Sequence, residues 1–84
     1  MIAVINNIAY EFTRGSDVQR DGMYLEVSVK TSGSLRQLAE VFYSDATGEF
    51  SVSCYEQDVP LVVIEELIRL ARQSLSPAQV LQSE

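Results

Sequence analysis

The clearest pattern along the chain is a strict two-residue alternation of apolar and polar side chains over residues 23–30. In an extended strand, one side would carry the apolar members Met23, Leu25, Val27 and Val29. The other side would carry the polar members Tyr24, Glu26, Ser28 and Lys30. Such alternation is typical of an antiparallel sheet with one face covered and the other facing water. We therefore predict a half-buried central strand.

Two further strands are predicted before it. Residues 1–5 and 8–13 are apolar runs on either side of Asn6 and Asn7, and the second run alternates. Asn tolerates positive φ better than most residues, so these two residues fit a two-residue hairpin turn. The polar segment 14–22 (RGSDVQRDG) is predicted to be a loop.

The segment 35–44 is consistent with two structures. As a helix, it would begin with a capping box at Ser34 and Gln37 and carry an apolar stripe. As a strand, it would pair across the turn 45–48 with residues 49–55, which alternate clearly. We favour the strand, because it supplies a hairpin partner for the segment that follows.

One amphipathic helix is predicted over residues 58–75. Asp58 is a suitable N-cap, and Pro60 is tolerated in a first turn. The apolar stripe expected to face the core consists of Val63, Ile64, Leu67, Ile68, Ala71 and Leu75. Ser76 and Pro77 should end the helix, leaving residues 76–84 as a tail.

These elements predict an α+β fold, in which an antiparallel meander sheet of four to five strands has one C-terminal amphipathic helix packed on one face. A chain of 84 residues has room for one hydrophobic core. We therefore expect a single domain over 1–84, with the sheet in 1–55, the helix in 58–75 and the tail in 76–84.

The composition removes most routes to catalysis. The chain has no His and one Cys, Cys54, so it lacks the usual ligands of a zinc or copper site and the usual base for a nucleophile. Cys54 falls on the apolar side of its predicted strand, where we expect it to be buried. The acids lie in predicted loops or on a wet face, where nothing would separate their pKa values. We expect no enzyme activity, no catalytic residue, no metal and no cofactor.

The charge favours a protein partner. A net charge of −6 opposes direct nucleic-acid binding and favours attraction to a basic surface. One Cys in so short a chain argues against a disulfide-stabilised secreted domain, and the apolar start has no basic flank, so it does not fit a signal peptide. No stretch is long enough to cross a membrane. We expect a cytoplasmic protein.

The predicted function is that of a small acidic protein-binding module. Acids would meet Lys and Arg on the partner, and two tyrosines would act as anchors. The predicted partner-binding residues are Asp17, Asp21, Tyr24, Glu26, Glu49, Tyr55 and Glu56. The size, acidity and missing catalytic groups fit an inhibitor or antidote, of the immunity or phage anti-defence kind, that occludes a basic and nucleic-acid-handling protein. The alternative is a structural domain that forms a homodimer or a subunit of an assembly.

Overall fold

The computed structural model describes residues 1–75, and the predicted tail over 76–84 lies outside the described residues. Five strands precede one helix: β1 (Ile2–Ile5), β2 (Ile8–Asp17), β3 (Gly22–Thr31), β4 (Ser34–Ser44), β5 (Phe50–Cys54) and α1 (Leu61–Ser74). The strands form one sheet in the order β1-β2-β3-β4-β5, and every neighbouring pair is antiparallel. The predicted α+β meander with one packed C-terminal helix is confirmed.

Short turns with positive φ impose this meander. Asn6 and Asn7 have φ of 51° and 67°, which is the conformation of a two-residue hairpin turn that twists with its strands. Ser32 and Gly33 make the same kind of turn between β3 and β4, with φ of 51° and 82°. Both turns are too short for a crossover, so β2 must pair with β1, and β4 must pair with β3.

The predicted loop over 14–22 is wrong in its first half. β2 continues to Asp17, and Arg14 and Gly15 pair with Leu25 and Tyr24 of β3. Polar composition indicated a loop, but the backbone pairing offered by β3 does not depend on side-chain polarity. The turn itself is confined to residues 18–21.

The strand interpretation of the segment after Ser34 is confirmed, with an irregularity. Val27 pairs with Ala39 while its neighbour Ser28 pairs with Gln37, so Leu38 is an extra residue in β4. This β-bulge explains the helix-like pattern of the sequence. At the bulge, the side chain of Leu38 points into the core, where 4% of the residue is exposed, and the two-residue period is broken.

The helix begins later than predicted. The N-cap is Pro60, no side chain caps the helix, and the predicted cap Asp58 has φ of 57°. The reason is local, because a residue that precedes proline is pushed away from helical angles, so Val59 cannot join the helix. The Pro60 carbonyl accepts the first helical hydrogen bonds, from the N–H groups of Val63 and Ile64.

The core lies between α1 and one face of the sheet. Val63, Leu67, Ala71 and Leu75 are buried, whereas Ile68 of the predicted stripe is 36% exposed. The sheet contributes Tyr10, Phe12, Leu25, Val27, Val41 and Tyr43. The helix packs on β3 and β4, so it leaves part of the apolar side of β5 uncovered.

Cys54 is exposed, and its predicted burial is wrong. It does lie on the helix side of the sheet, paired with Ala39. The helix passes over β3 and β4, however, and does not reach this end of the edge strand. Alternation identified the correct side, but only the position of the helix decides how much of that side is covered.

Candidate functional site

The face of the sheet opposite α1, here called the open face, is uncovered within the described residues. The register places side chains of neighbouring strands in rows across it. One row, here called the aromatic row, consists of Gly15, Tyr24, Phe42 and Ser51. The next row lies at the C-terminal ends of β2 and β4 and consists of Asp17, Gly22 and Ser44.

The rings of the aromatic row lie against glycine backbone. A Cβ atom on Gly15 would lie 2.5 Å from the Tyr24 hydroxyl oxygen, and one on Gly22 would lie 2.5 Å from Cζ of Phe42. Any larger residue at either position would therefore displace a ring. The two glycines let Tyr24 and Phe42 lie across neighbouring strands, in the manner of aromatic residues that cover a strand glycine.

Arg20 organises the centre of the open face, and sequence reasoning missed it. Its guanidinium bonds the Asp17 carboxylate through Nε and the Glu40 carboxylate through Nη2, the latter at 3.1 Å from Oε2. The same group lies 4.2 Å from the centre of the Phe42 ring, a cation–π distance. The hydrogen bond from Arg20 lowers the pKa of Asp17, and the bonds to Glu40 and Asp17 raise the pKa of Arg20.

Glu40 is the charged group most deeply held in this arrangement. Only 7% of the residue is exposed, although no helix within residues 1–75 covers its face. Its Oε1 accepts a hydrogen bond from the Tyr55 hydroxyl at 3.3 Å, besides those from Arg20. Burial raises the pKa of the Tyr55 hydroxyl, and the neighbouring Glu40 charge raises it further. Donors from two other segments therefore fix a carboxylate that would otherwise be costly to bury.

Glu26 lies directly opposite Glu40 on β3. Two carboxylates that face each other across a strand pair repel each other. The pair is destabilising unless each carboxylate accepts hydrogen bonds from donors of its own. Gln37 donates a hydrogen bond to Glu26, and Arg20 and Tyr55 donate hydrogen bonds to Glu40. The pair therefore persists because each carboxylate has its own donors.

Two turns bring acids together at one end of the sheet, here called the acidic end. The turn after β2 and the turn after β4 touch, because the Asp45 N–H donates to the Asp21 carbonyl at 3.0 Å. Asp17, Asp21, Asp45 and Glu49 belong to these turns or their borders. Within residues 1–75, Asp17 alone of these four has an ion-pair partner within 4.0 Å.

The structure brings six of the seven predicted partner-binding residues to this region. Asp17, Asp21 and Glu49 lie at the acidic end. Tyr24, Glu26 and Tyr55 lie on the open face. Glu56 is the exception, since it lies outside both surfaces, 3.8 Å from Nε of Arg36 and beside the start of α1. Their role in binding stays a prediction.

The sequence held weak signals of the residues it failed to indicate. Arg20 follows Asp17 by three residues, a spacing that often pairs charges within a turn. Glu40 is the one charge in the apolar stretch Leu38–Tyr43 of β4, which points to a buried partner. Asp45 stood in a predicted turn but was not singled out. Nothing in a single sequence could show that Arg20 reaches β4, because that contact depends on the sheet register.

The open face changes character towards the other end of the sheet. Ile2 and Val4 of β1 and Leu35 of β4 are exposed there, with Ala9 and Lys30 between them. The two ends thus differ in chemistry, with uncompensated acids at one and scattered apolar side chains at the other. Scattered apolar side chains are ordinary on a surface.

Within residues 1–75, no group of three or more Cys, Asp or Glu side chains is arranged to hold a metal ion. Over the same residues, no helix combines the length and the apolar character needed to cross a membrane. Comparisons with models of protein families, with curated protein sequences and with solved structures find no match to this chain.

Proposed function

We propose that this protein is a cytoplasmic protein-binding module that docks its acidic end and aromatic row on a basic surface of a partner protein. The observation that carries the proposal is the contact between the two turns that border the aromatic row. These turns and their borders hold Asp21, Asp45 and Glu49, which have no ion-pair partner within residues 1–75. Aromatic residues are enriched in protein interfaces, and the rim around them is polar.

Preorganisation supports this role. The Tyr24 and Phe42 rings lie on glycine backbone, and Arg20, Glu40 and Tyr55 hold one another through hydrogen bonds. Side chains that are already fixed lose little conformational freedom when a partner binds. A small domain of this kind can therefore present a defined surface without a conformational change.

The charge supports attraction to a basic partner. The chain carries −6 overall, and the carboxylates of Asp21, Asp45 and Glu49 have no ion-pair partner within the described residues. Such a field accelerates encounter with a positive surface and loses strength as salt rises. A protein that handles nucleic acid offers that kind of surface, because it must bind phosphates.

The mechanism we propose is occlusion. An acidic surface that covers a phosphate-binding region excludes nucleic acid by steric overlap and by repulsion of like charge. This would make the protein an inhibitor or antidote and requires no reaction of its own.

The test is capture of partners from a lysate of the source cells by three forms of the tagged protein. The first is wild type, and the second is the double charge reversal Asp45→Lys with Glu49→Lys. The third is the matched control Glu65→Lys with Glu66→Lys on α1, which changes net charge equally but lies away from the acidic end. We expect a basic protein that wild type and control retain and the acidic-end variant loses.

The comparison between variants makes the capture decisive. A captured protein that both double variants lose equally would mean that net charge alone attracts it. A captured protein that all three forms retain would place the interface elsewhere. Either result contradicts the proposal. Circular dichroism of each variant should match wild type, since all four positions are on turns or on the outer surface of the helix.

A further inference from the structure

Within residues 1–75, the outer edge of β5 bears unpaired backbone groups in a regular pattern. The Tyr55 N–H donates to Leu38, and the Glu49 carbonyl accepts from Ser44, so both residues turn their backbone groups towards β4. Backbone groups alternate in direction along a strand. The N–H and C=O groups of Phe50, Val52 and Cys54 therefore point outward from the sheet.

Within the part of the chain that the structure describes, this edge lacks the side-chain and backbone features that usually prevent pairing. Natural edge strands are blunted by charged side chains, proline or a bulge. β5 reads Phe-Ser-Val-Ser-Cys, with no charge and no proline, and its pairing with β4 is regular. Val52 at its centre is 52% exposed. The strand is therefore competent to accept another strand along its outer edge.

The side-chain pattern of β5 is symmetric about Val52. Apolar Phe50 and Cys54 flank it on the helix side, and Ser51 and Ser53 flank it on the open side. If a second β5 runs antiparallel with Val52 opposite Val52, Phe50 faces Cys54 and Ser51 faces Ser53 of the other copy. Every facing pair then lies on the same side and matches in polarity.

An apolar groove runs along the same edge. It lies between β5 and α1 and is lined by Phe50, Val52, Ile68 and Ala71, with Arg72 at 5.8 Å from the centre of the Phe50 ring. Pairing of two β5 strands would bring two such grooves side by side across the dyad. The exposed Val52 and the partly exposed Ile68 would then lose solvent contact.

We propose that β5 pairs with β5 of a second copy of this chain, in an antiparallel register centred on Val52, to form a continuous ten-stranded sheet. The Val52–Val52 and Phe50–Cys54 pairs exchange backbone hydrogen bonds, and the Ser51–Ser53 pairs between them are the non-hydrogen-bonded pairs of the antiparallel ladder. The interface is isologous, and it closes after two copies, because each chain uses the edge once. It stands independently of the proposed function.

The other edge of the sheet fits a second copy less well. β1 has four residues, and its Met1 carbonyl accepts from Phe12, so outward groups belong to Ile2 and Val4 alone within the strand. Its ladder would be shorter than that of β5. A dimer through β5 also leaves both open faces on one side of the continuous sheet, because the dyad is perpendicular to the sheet.

The first experiment measures mass by sedimentation equilibrium over a range of protein concentration. Wild type should approach about 19 kDa, twice the 9.4 kDa of the chain. Val52→Lys would set two ammonium groups against each other at the dyad and should remain at the mass of one chain. The matched control Val18→Lys makes the same change at a turn residue that is 90% exposed, and it should still dimerise.

The second experiment fixes the register without disturbing the apolar side. Two single-cysteine proteins are made in a Cys54→Ser background, one with Ser51→Cys and one with Ser53→Cys. Residue 51 of one copy and residue 53 of the other would form a non-hydrogen-bonded pair, whose Cα atoms lie about 4.5 Å apart, within the range of a disulfide. Under mild oxidation, the equimolar mixture should give the mixed disulfide, and each protein alone should give much less.

Several outcomes would overturn the proposal. Wild type at the mass of one chain at every concentration would do so, and slow amide exchange at Val52 in that monomer would assign the edge to another part of this chain. A dimer that survives Val52→Lys would place the interface elsewhere. Equal cross-linking of the single variants and of their mixture would exclude this register. None of these results bears on binding at the acidic end.

Discussion

The two faces of the sheet show different solutions to the same problem of burying side chains. On the face under α1, apolar residues are buried by helix packing, and Val27 and Leu67 have no exposed surface at all. On the open face, Glu40 is almost as deeply buried, but by Arg20, Tyr55 and Phe42 rather than by another layer. The covered face relies on the hydrophobic effect, and the open face relies on directed hydrogen bonds.

This difference separates stability from recognition. Apolar packing is strong and non-directional, so it can hold a fold without defining a surface chemistry. Hydrogen-bonded charges contribute less net stability, but they fix side chains at defined positions. We therefore expect substitutions under the helix to affect the unfolding free energy most, and substitutions at the acidic end to affect partner binding with little loss of stability.

The largest effect on stability is expected at Leu67. Leu67→Ala should lower the free energy of unfolding by about 2–5 kcal/mol, because it removes a side chain from the centre of the core and leaves a cavity. Urea denaturation measures this loss. The neighbour Ile68, which is 36% exposed, is the control, and Ile68→Ala should cost under about 1.5 kcal/mol. Equal losses would mean that α1 is not seated as described.

The second effect concerns the glycine support of the aromatic row. Gly22→Ala should cost about 1–3 kcal/mol, because the added methyl would meet the Tyr43 carbonyl and the Phe42 ring. Gly33→Ala is the contrast, with open space around it but φ of 82°, and should cost about 1 kcal/mol through backbone strain. Ring-proton chemical shifts of Phe42 should move in the first variant and stay unchanged in the second.

The third effect concerns the cation of the open face. Arg20→Gln should lower the free energy of unfolding by about 1 kcal/mol. This is more than the loss of an average surface ion pair, because the Glu40 carboxylate would be left with fewer hydrogen-bond donors. The control is Arg69→Gln, which breaks the exposed pair with Glu66 on α1 and should cost less than Arg20→Gln, because water screens an exposed pair. A larger loss at Arg69 would contradict the contrast between the two faces.

The contribution of Asp17 to this arrangement should depend on pH. Its pKa is lowered by the hydrogen bond from Arg20, so the folded state favours the carboxylate. The stability that it contributes is present above the ordinary value of 3.8 and is lost as pH falls below it. The difference in unfolding free energy between wild type and Arg20→Gln should therefore shrink in acid. A difference that grows in acid would contradict this assignment.

The smallest effect is expected at alkaline pH. Burial and the Glu40 charge raise the pKa of Tyr55, so the folded state keeps its proton where the unfolded chain releases it. Stability from this group is present below the ordinary value of 10.0 and is lost as pH rises through the raised pKa. Ultraviolet titration should show a late-titrating phenol that disappears in Tyr55→Phe. The control variant Tyr24→Phe should keep it.

The side-chain alternation was sufficient to predict the meander and the face that each residue of β3 occupies. It was sufficient because a period of two and a pair of short turns leave few other pairings. The alternation does not continue at Leu38, where a bulge breaks the period. The predicted Asp58 cap is wrong because Pro60 keeps Val59, the residue before it, away from helical angles. Both effects arise from backbone geometry that hydrophobic patterning does not encode.

The candidate site was predicted only in outline. The acids and tyrosines could be assigned to the polar side of strands or to turns, and most of them do meet. Arg20 and Phe42 could not be found in this way, because their contact joins residues in different strands, and it depends on register and on the small size of Gly22. Ion pairing depends on three-dimensional contacts, so the sequence could not show which acids have an ion-pair partner.

The central claim is that the helix side holds the fold while the acidic end and aromatic row bind a partner. Hydroxyl-radical footprinting of the complex with the captured basic protein tests this most directly. The account predicts that Tyr24 and Phe42 become protected from oxidation, while exposed Leu61 and Val62 on α1 react as fast as in the free protein. Protection of Leu61 and Val62, with Tyr24 and Phe42 unchanged, would contradict it.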